Sequence, residues 1–235
     1  MEIIDNLTQS RKIFFNCVDI CNKEYRHGDD LRFYRELVDQ HRKIVDINKL
    51  ISSDAFLQKI YATLEKWDMN KRRARLVDLP IMYDSIRSYG EYLSKLYKYR
   101  LEMLSDEDIQ AVLLQLKGLF CGLKIMATKR RIVGVSKALH FLLPDLVLPI
   151  DSTYTMPAFY GKNRYSDNAE KEFKIYSDIF VKSHAIAKRL NLAESDVDGL
   201  SWSCSVPKLI DNAIFGYLIK VKQLIEEDNE KIRKN

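Results

Sequence analysis

Apolar residues recur every three to four positions along most of this chain, the spacing that places side chains on one face of an α-helix. Over residues 8–25 the stripe is Ile13, Phe14, Cys17, Val18 and Cys21, with Thr8 placed to cap the first turn. His27-Gly28-Asp29-Asp30 reads as a helix stop followed by a new start, because acidic first-turn residues complement the positive end of a helix. Leu31, Tyr34, Leu37, Val38 and Val45 mark a second helix. Ser53 or Asp54 caps a third, which turns Phe56, Leu57, Ile60, Tyr61 and Leu64 inward and ends near Trp67. Pro80 opens a long helix predicted over residues 80–104, with Tyr83, Ile86, Tyr89, Tyr92, Leu93 and Leu96 on or near one face.

Ser105-Asp106-Glu107-Asp108 is a strong helix-start signature. The helix behind it carries Ile109, Val112, Leu113, Leu116, Leu119, Phe120 and Leu123 and is apolar enough to be central. Another helix is predicted from Asp167 to about residue 190, and Pro207 suits the start of a closing helix with a charged tail from Glu226 onward. Leu146-Val147-Leu148 is too short to count as a strand. The pattern therefore predicts an all-α fold of roughly nine helices, one domain with room for two lobes.

Composition narrows this picture only a little. A chain of 235 residues with 46% apolar and 30% charged residues describes an ordinary globular protein. No apolar run is long enough to span a bilayer and no signal peptide is visible, so the expectation is a cytoplasmic protein without membrane partners. The four cysteines, Cys17, Cys21, Cys121 and Cys204, lack the additional ligands at metal-binding spacing, and read as buried free thiols in a reducing compartment. No metal and no cofactor is expected: the sequence has no P-loop, no dinucleotide glycine fingerprint and no metalloprotease helix. The formal charge of +5 is compatible with nucleic acid without identifying it.

Candidate chemistry concentrates in residues 129–155. Lys129-Arg130-Arg131 leads into a short apolar helix containing Gly134, Ser136, Lys137 and His140; Pro144 ends it, and Pro149-Ile150-Asp151 precedes the next helix start. This succession resembles the core of helix-hairpin-helix DNA glycosylases, over about 25 residues. The resemblance implies a glycine hairpin at Ile132 to Ala138 whose amides, with Gly134, hold a DNA phosphate, and a catalytic carboxylate at Asp151. It also implies a lysine nucleophile on the helix, from which Lys137 stands one residue away. A broader likeness, through Ser136 to Asp145, Pro149 to Thr155, Leu64 to Met69, Arg75 to Asp78 and Ile210 to Ile214, is to a family of uncharacterised prokaryotic proteins and implies no activity.

Each candidate has a plainer role. Asp151 sits where a helix N-cap belongs. Lys137 and His140 share a face and either line a polar cleft with Asp151, or are respectively solvated and hydrogen-bonded at the edge of the core. Asp211 and Asn212, polar in an apolar run, either tie their helix to the Asp151 loop or complete a site. The runs Lys71-Arg72-Arg73, with Arg75, and Lys129-Arg130-Arg131 are phosphate-binding candidates or solvated faces. Thirteen tyrosines are available to stack on bases or to pack in the core and at its rim. The two functional expectations are nucleic-acid binding with base-excision chemistry at Asp151, and a non-catalytic helical protein acting through protein partners. A clustered basic face beside a cleft holding Asp151 separates the first from the second.

Overall fold

A computed structural model describes residues 2–25, 28–71, 73–199 and 201–234, with residue 2 and residues from 225 onward as backbone only. Among these the chain is all-α: α1 (Glu2–Leu7), α2 (Arg11–Glu24), α3 (Gly28–Lys43), α4 (Ile47–Ser52), α5 (Asp54–Lys66), α6 (Leu79–Ser88), α7 (Gly90–Leu96), α8 (Asp106–Gly122), α9 (Ile132–Leu142), α10 (Thr155–Tyr160), α11 (Ala169–Arg189) and α12 (Val206–Lys234). Two 3-10 turns, Leu101–Met103 and Glu194–Asp196, complete the set. The only extended pairing among the described residues is an antiparallel bridge between Leu76 and Met126.

Local signals account for several boundaries. Ser105 and Asp108 form the reciprocal capping box that their spacing predicts, and Ser53 caps α5 through the Phe56 amide. At α2 the cap is Ser10, which accepts from the Ile13 amide; the Thr8 hydroxyl donates instead to the Ile4 carbonyl at 2.8 Å. Asn168 rather than Asp167 caps α11. Two long predicted helices are broken. Asp46 caps a separate α4, and Val45 is solvent-facing at 83% exposure. The 80–104 helix divides at Tyr89, where α4 packs across the junction: Arg87 Nε donates to the Ile51 carbonyl and Asn48 Nδ2 to Ser94 Oγ. These two breaks, with the short α1 that the pattern did not predict, raise roughly nine expected helices to twelve among the described residues.

The centre of the molecule is α9 rather than α8. Every residue from Gly134 to Leu142 is buried, whereas α8 leaves Leu114 68% exposed. A helix buried all round is one that other helices surround, and one connected core runs from Ile3 in α1 to Ile214 in α12. The most extensive helix pair among the described residues is α2 with α12, and Gly216 permits their close approach: a Cβ there would lie 1.8 Å from the Cys17 carbonyl oxygen. No helix among the described residues is long and apolar enough to cross a membrane.

Candidate active site

A cleft of about 200 Å³ opens beside α9. Its walls come from six parts of the chain: the α2 end (Cys21, Tyr25), Asp30 of α3, the α5 end (Lys66, Trp67, Asp68), Lys137 of α9, the loop with Asp151 and Tyr154, and Trp202 with the start of α12. These parts are distant in sequence, and the packing of α9 against α3 and α5 and of α12 against α2 and α10 brings them together.

Lys137 is the deepest charged group on α9, 7% exposed. Its Nζ donates to the Trp67 carbonyl at 3.1 Å, lies 3.8 Å from Asp151 Oδ2 and sits 5.6 Å from the Trp67 ring centroid. The Trp67 carbonyl is turned to this place by Asp68, which adopts a left-handed φ of +66° and closes the end of α5 through the Met69 amide and the Leu64 carbonyl. Carbonyls at a helix C-terminus carry partial negative charge, so the position suits a protonated amine as well as a neutral one. Burial pushes the Lys137 pKa down, while Asp151, Asp211 and Asp68 oppose that shift and Lys208 adds to it.

Asp151 serves two ends at once. Oδ1 accepts from the Thr153 and Tyr154 amides at 2.6 and 3.2 Å, capping the turn that leads into α10, and Oδ2 faces Lys137. The Asp151 amide donates to Thr155 Oγ1 at 2.9 Å, so the carboxylate is held from both sides. The capping role and the cleft role expected of this residue therefore coincide.

His140 does not join them. Although it stands one helical turn from Lys137, it is fully buried: Nδ1 lies 2.6 Å from the Val147 carbonyl and Nε2 2.9 Å from the Tyr34 hydroxyl. Its pKa is pushed down to about 3, first by burial. It is a neutral core residue and not a general base of the cleft.

The glycine hairpin is absent as well. Gly134 lies in the first turn of α9, where its lack of a side chain admits Met126: a Cβ would stand 2.1 Å from the sulfur. The start of α9 does present unpaired amides, as any helix start must. Their anion is internal, however, because Glu172 Oε2 of α11 accepts from the Arg131 and Ile132 amides at 2.9 and 3.1 Å. Arg131 is likewise engaged, donating to the Cys121 and Leu123 carbonyls at the end of α8. A DNA phosphate has no vacancy here.

The other basic candidates remain at the surface. Lys71 pairs with Asp68 at 2.6 Å, the Arg75 guanidinium donates to the Asn70 and Ala74 carbonyls, and Arg130 lies 3.9 Å from Asp167 and over the Tyr165 ring. Arg73 and Lys129 are exposed, and Arg72 falls outside the described residues. The bridge orders these runs. Leu76 pairs with Met126, and the Ala127 amide donates to the Arg75 carbonyl at 2.8 Å. In an antiparallel pair, residues before Arg75 and residues after Ala127 leave the bridge from the same end. Lys71, Arg73 and Arg75 therefore emerge on the same side as residues 129–131, and Lys71 stands three residues beyond Asp68 in the cleft wall.

Sequence reasoning did not find Trp67, Trp202, Lys208 or Tyr25 as site residues. Trp202 and Lys208 lie shortly before the flagged pair Asp211 and Asn212, the one local signal that pointed to this wall. Those two do not tie α12 to the Asp151 loop: Asn212 Nδ2 donates to Ser203 Oγ at 3.3 Å, and Asp211 pairs with Lys208. The remaining nucleophile candidates are disabled by their surroundings. Burial pushes the Cys21 thiol up to about 12, and burial with Tyr154 and Asp151 nearby pushes the Tyr25 phenol up. No cluster of three or more metal-ligating side chains occurs among the described residues.

No protein family, no curated protein and no solved structure matches this chain. The cleft is read on its own geometry.

Proposed function

We propose that the protein binds nucleic acid along the paired basic runs and acts on a nucleotide drawn into the cleft, as a base-excision enzyme with Lys137 as nucleophile and Asp151 as its carboxylate partner. The observation that carries this reading is the state of Lys137. A buried primary amine stands in the cleft wall, hydrogen-bonded to a carbonyl and 3.8 Å from a carboxylate, without a close ion pair to hold its proton. Amines in such settings are the ones that attack carbonyl and sugar carbons. A base buried in a duplex must leave the stack to reach them, and Trp67 and Trp202 supply aromatic faces in the cleft wall.

In the step proposed, the Lys137 Nζ lone pair forms a bond to the anomeric carbon of the sugar. The glycosidic bond breaks and its electron pair leaves with the base. The proton lost from Nζ passes through Asp151 Oδ2 to the departing base. The nitrogen lone pair then opens the sugar ring to a protonated imine, the ring oxygen taking up a proton from water. Asp151 also stabilises the positive charge that develops at the sugar.

The test is borohydride trapping on duplex DNA containing an abasic site, alongside binding to intact duplex. The expected result is a covalent adduct whose peptide maps to Lys137, abolished in Lys137→Met and slowed by about 100-fold in Asp151→Asn. Absence of binding to either duplex at low salt, together with absence of an adduct, overturns the reading.

A further inference from the structure

The cleft contains a second buried ammonium that the step above does not use. Lys208, in the first turn of α12, is 7% exposed. Its Nζ lies 5.7 Å from the Trp67 ring centroid, against 5.6 Å for Lys137, and 5.4 Å from that of Trp202. Two amines thus approach one indole, and they are held in opposite ways. Lys208 is locked: Asp211 Oδ2 at 2.5 Å and Asn212 Oδ1 at 2.8 Å accept from it, one helical turn along its own helix. Lys137 has a carbonyl at 3.1 Å and a carboxylate at 3.8 Å that is already accepting two backbone amides.

We infer that Lys208 is a positioning residue for Lys137: by holding Asp211 in a close ion pair on α12, it denies Lys137 a second counterion and leaves that amine free to react. The inference rests on the reading of Lys137 as the nucleophile. The other charged groups of the cleft wall are Asp151 from its loop, Lys66 and Asp68 from the end of α5, Asp30 from α3, and Lys208 and Asp211 from α12. Of these, Asp151, Asp211, Asp68 and Lys208 act on Lys137. Asp68 is partly spent on Lys71 at 2.6 Å, and Asp151 on its turn. Asp211 is therefore the carboxylate whose release would most change the balance. At low effective dielectric a carboxylate without its own cation favours protonation of the nearest amine. Both Asp211 and Lys208 act on Lys137, with opposite signs, as this arrangement requires.

Competitive labelling of the full chain with acetic anhydride across pH, read by mass spectrometry at each lysine, tests this without any nucleic acid. In Lys208→Met the labelling midpoint of Lys137 moves up, and its labelling at pH 7 slows by about fivefold or more. In Asp211→Asn, and in the Lys208→Met/Asp211→Asn double variant, the midpoint returns to the wild-type position or falls below it. Lys208→Arg, which keeps the ion pair, stays close to wild type. A Lys137 midpoint that does not move in Lys208→Met, or an upward shift that persists in the double variant, overturns the inference. The Asp211→Asn arm carries the same test with the opposite sign if Lys208→Met does not fold. Borohydride trapping on the same samples separates the two readings: midpoints that shift as expected with no adduct in any variant sink the base-excision reading alone.

Discussion

His140 and Lys137 show how one helical turn divides two buried polar residues between different tasks. His140 has both ring nitrogens occupied in the core, with the Nδ1–H donated to the Val147 carbonyl and Nε2 accepting from the Tyr34 hydroxyl. Its pKa of about 3 lies below the ordinary histidine value, through burial first and then the Lys208 and His41 charges, against the Val147 hydrogen bond. The unfolded chain therefore binds a proton at this residue that the folded chain refuses. The contribution to stability is fully present above pH 6.5 or so and is lost as pH falls from there toward the folded value. Over that window His140 alone predicts a loss of about 1.4 kcal/mol per pH unit. Urea midpoints at pH 7 and pH 5, for wild type and His140→Gln, measure it. A shallower fall in the variant is expected, and an unchanged fall would remove His140 as the cause.

At the scale of elements, the first turn of α9 is closed by Glu172 from α11. Two backbone amides, one of them fully buried, depend on its Oε2. Removing the acceptor leaves both donors short, so Glu172→Ala is expected to destabilise the fold by about 1–3 kcal/mol in chemical denaturation. A loss confined to a few tenths would mean that water or another group replaces the cap. The α2–α12 contact gives a second check. Gly216→Ala would put a methyl 1.8 Å from the Cys17 carbonyl oxygen, and the two helices must part to accept it. A loss of about 1–3 kcal/mol is expected, seen as a lowered urea midpoint at constant slope. These elements also mark how far the sequence is legible. The capping box at Ser105 and Asp108 and the Ser53 cap lie within four residues of what they cap, and they could be read directly. The breaks at Asp46 and Tyr89 could not, because what fixes them is α4 lying across the α6–α7 junction. Glu172 is 41 and 40 residues from the two amides that it caps, and no periodicity announces such a contact. The same reason hid most of the cleft. Asp151 and Lys137 stood out because both lie in the one short stretch, residues 129–155, whose motifs resemble a glycosylase core, whereas Trp67, Trp202 and Lys208 reach the cleft only through tertiary packing.

For the whole molecule, the relevant feature is how a modest net charge of +5 is distributed. The antiparallel bridge between Leu76 and Met126 sends two basic runs out from the same end, next to the α5 end that forms one cleft wall. Arg75 and Arg131 spend their guanidinium groups on backbone carbonyls of their own surroundings, so they shape this surface more than they offer charge to a ligand. Lys71, Arg73, Lys129 and Arg130 are exposed there. If this surface carries a nucleic-acid backbone, each phosphate neutralised releases condensed counterions, and the logarithm of the affinity falls with the logarithm of salt by about 0.9 per contact. The combined variant Lys71→Ala/Arg73→Ala/Lys129→Ala/Arg130→Ala is therefore expected to weaken binding to duplex DNA and to flatten the salt slope by about 3–4. Lys12→Ala and Lys43→Ala, also exposed but on α2 and α3 away from the bridge, are expected to leave the slope nearly unchanged. Fluorescence anisotropy over a salt series reads both quantities. Equal effects from the two sets would mean that attraction comes from net charge alone and that the paired runs form no track. A loss of slope confined to the first set would place the phosphates beside the wall that ends in Trp67 and Asp68, within reach of Lys137.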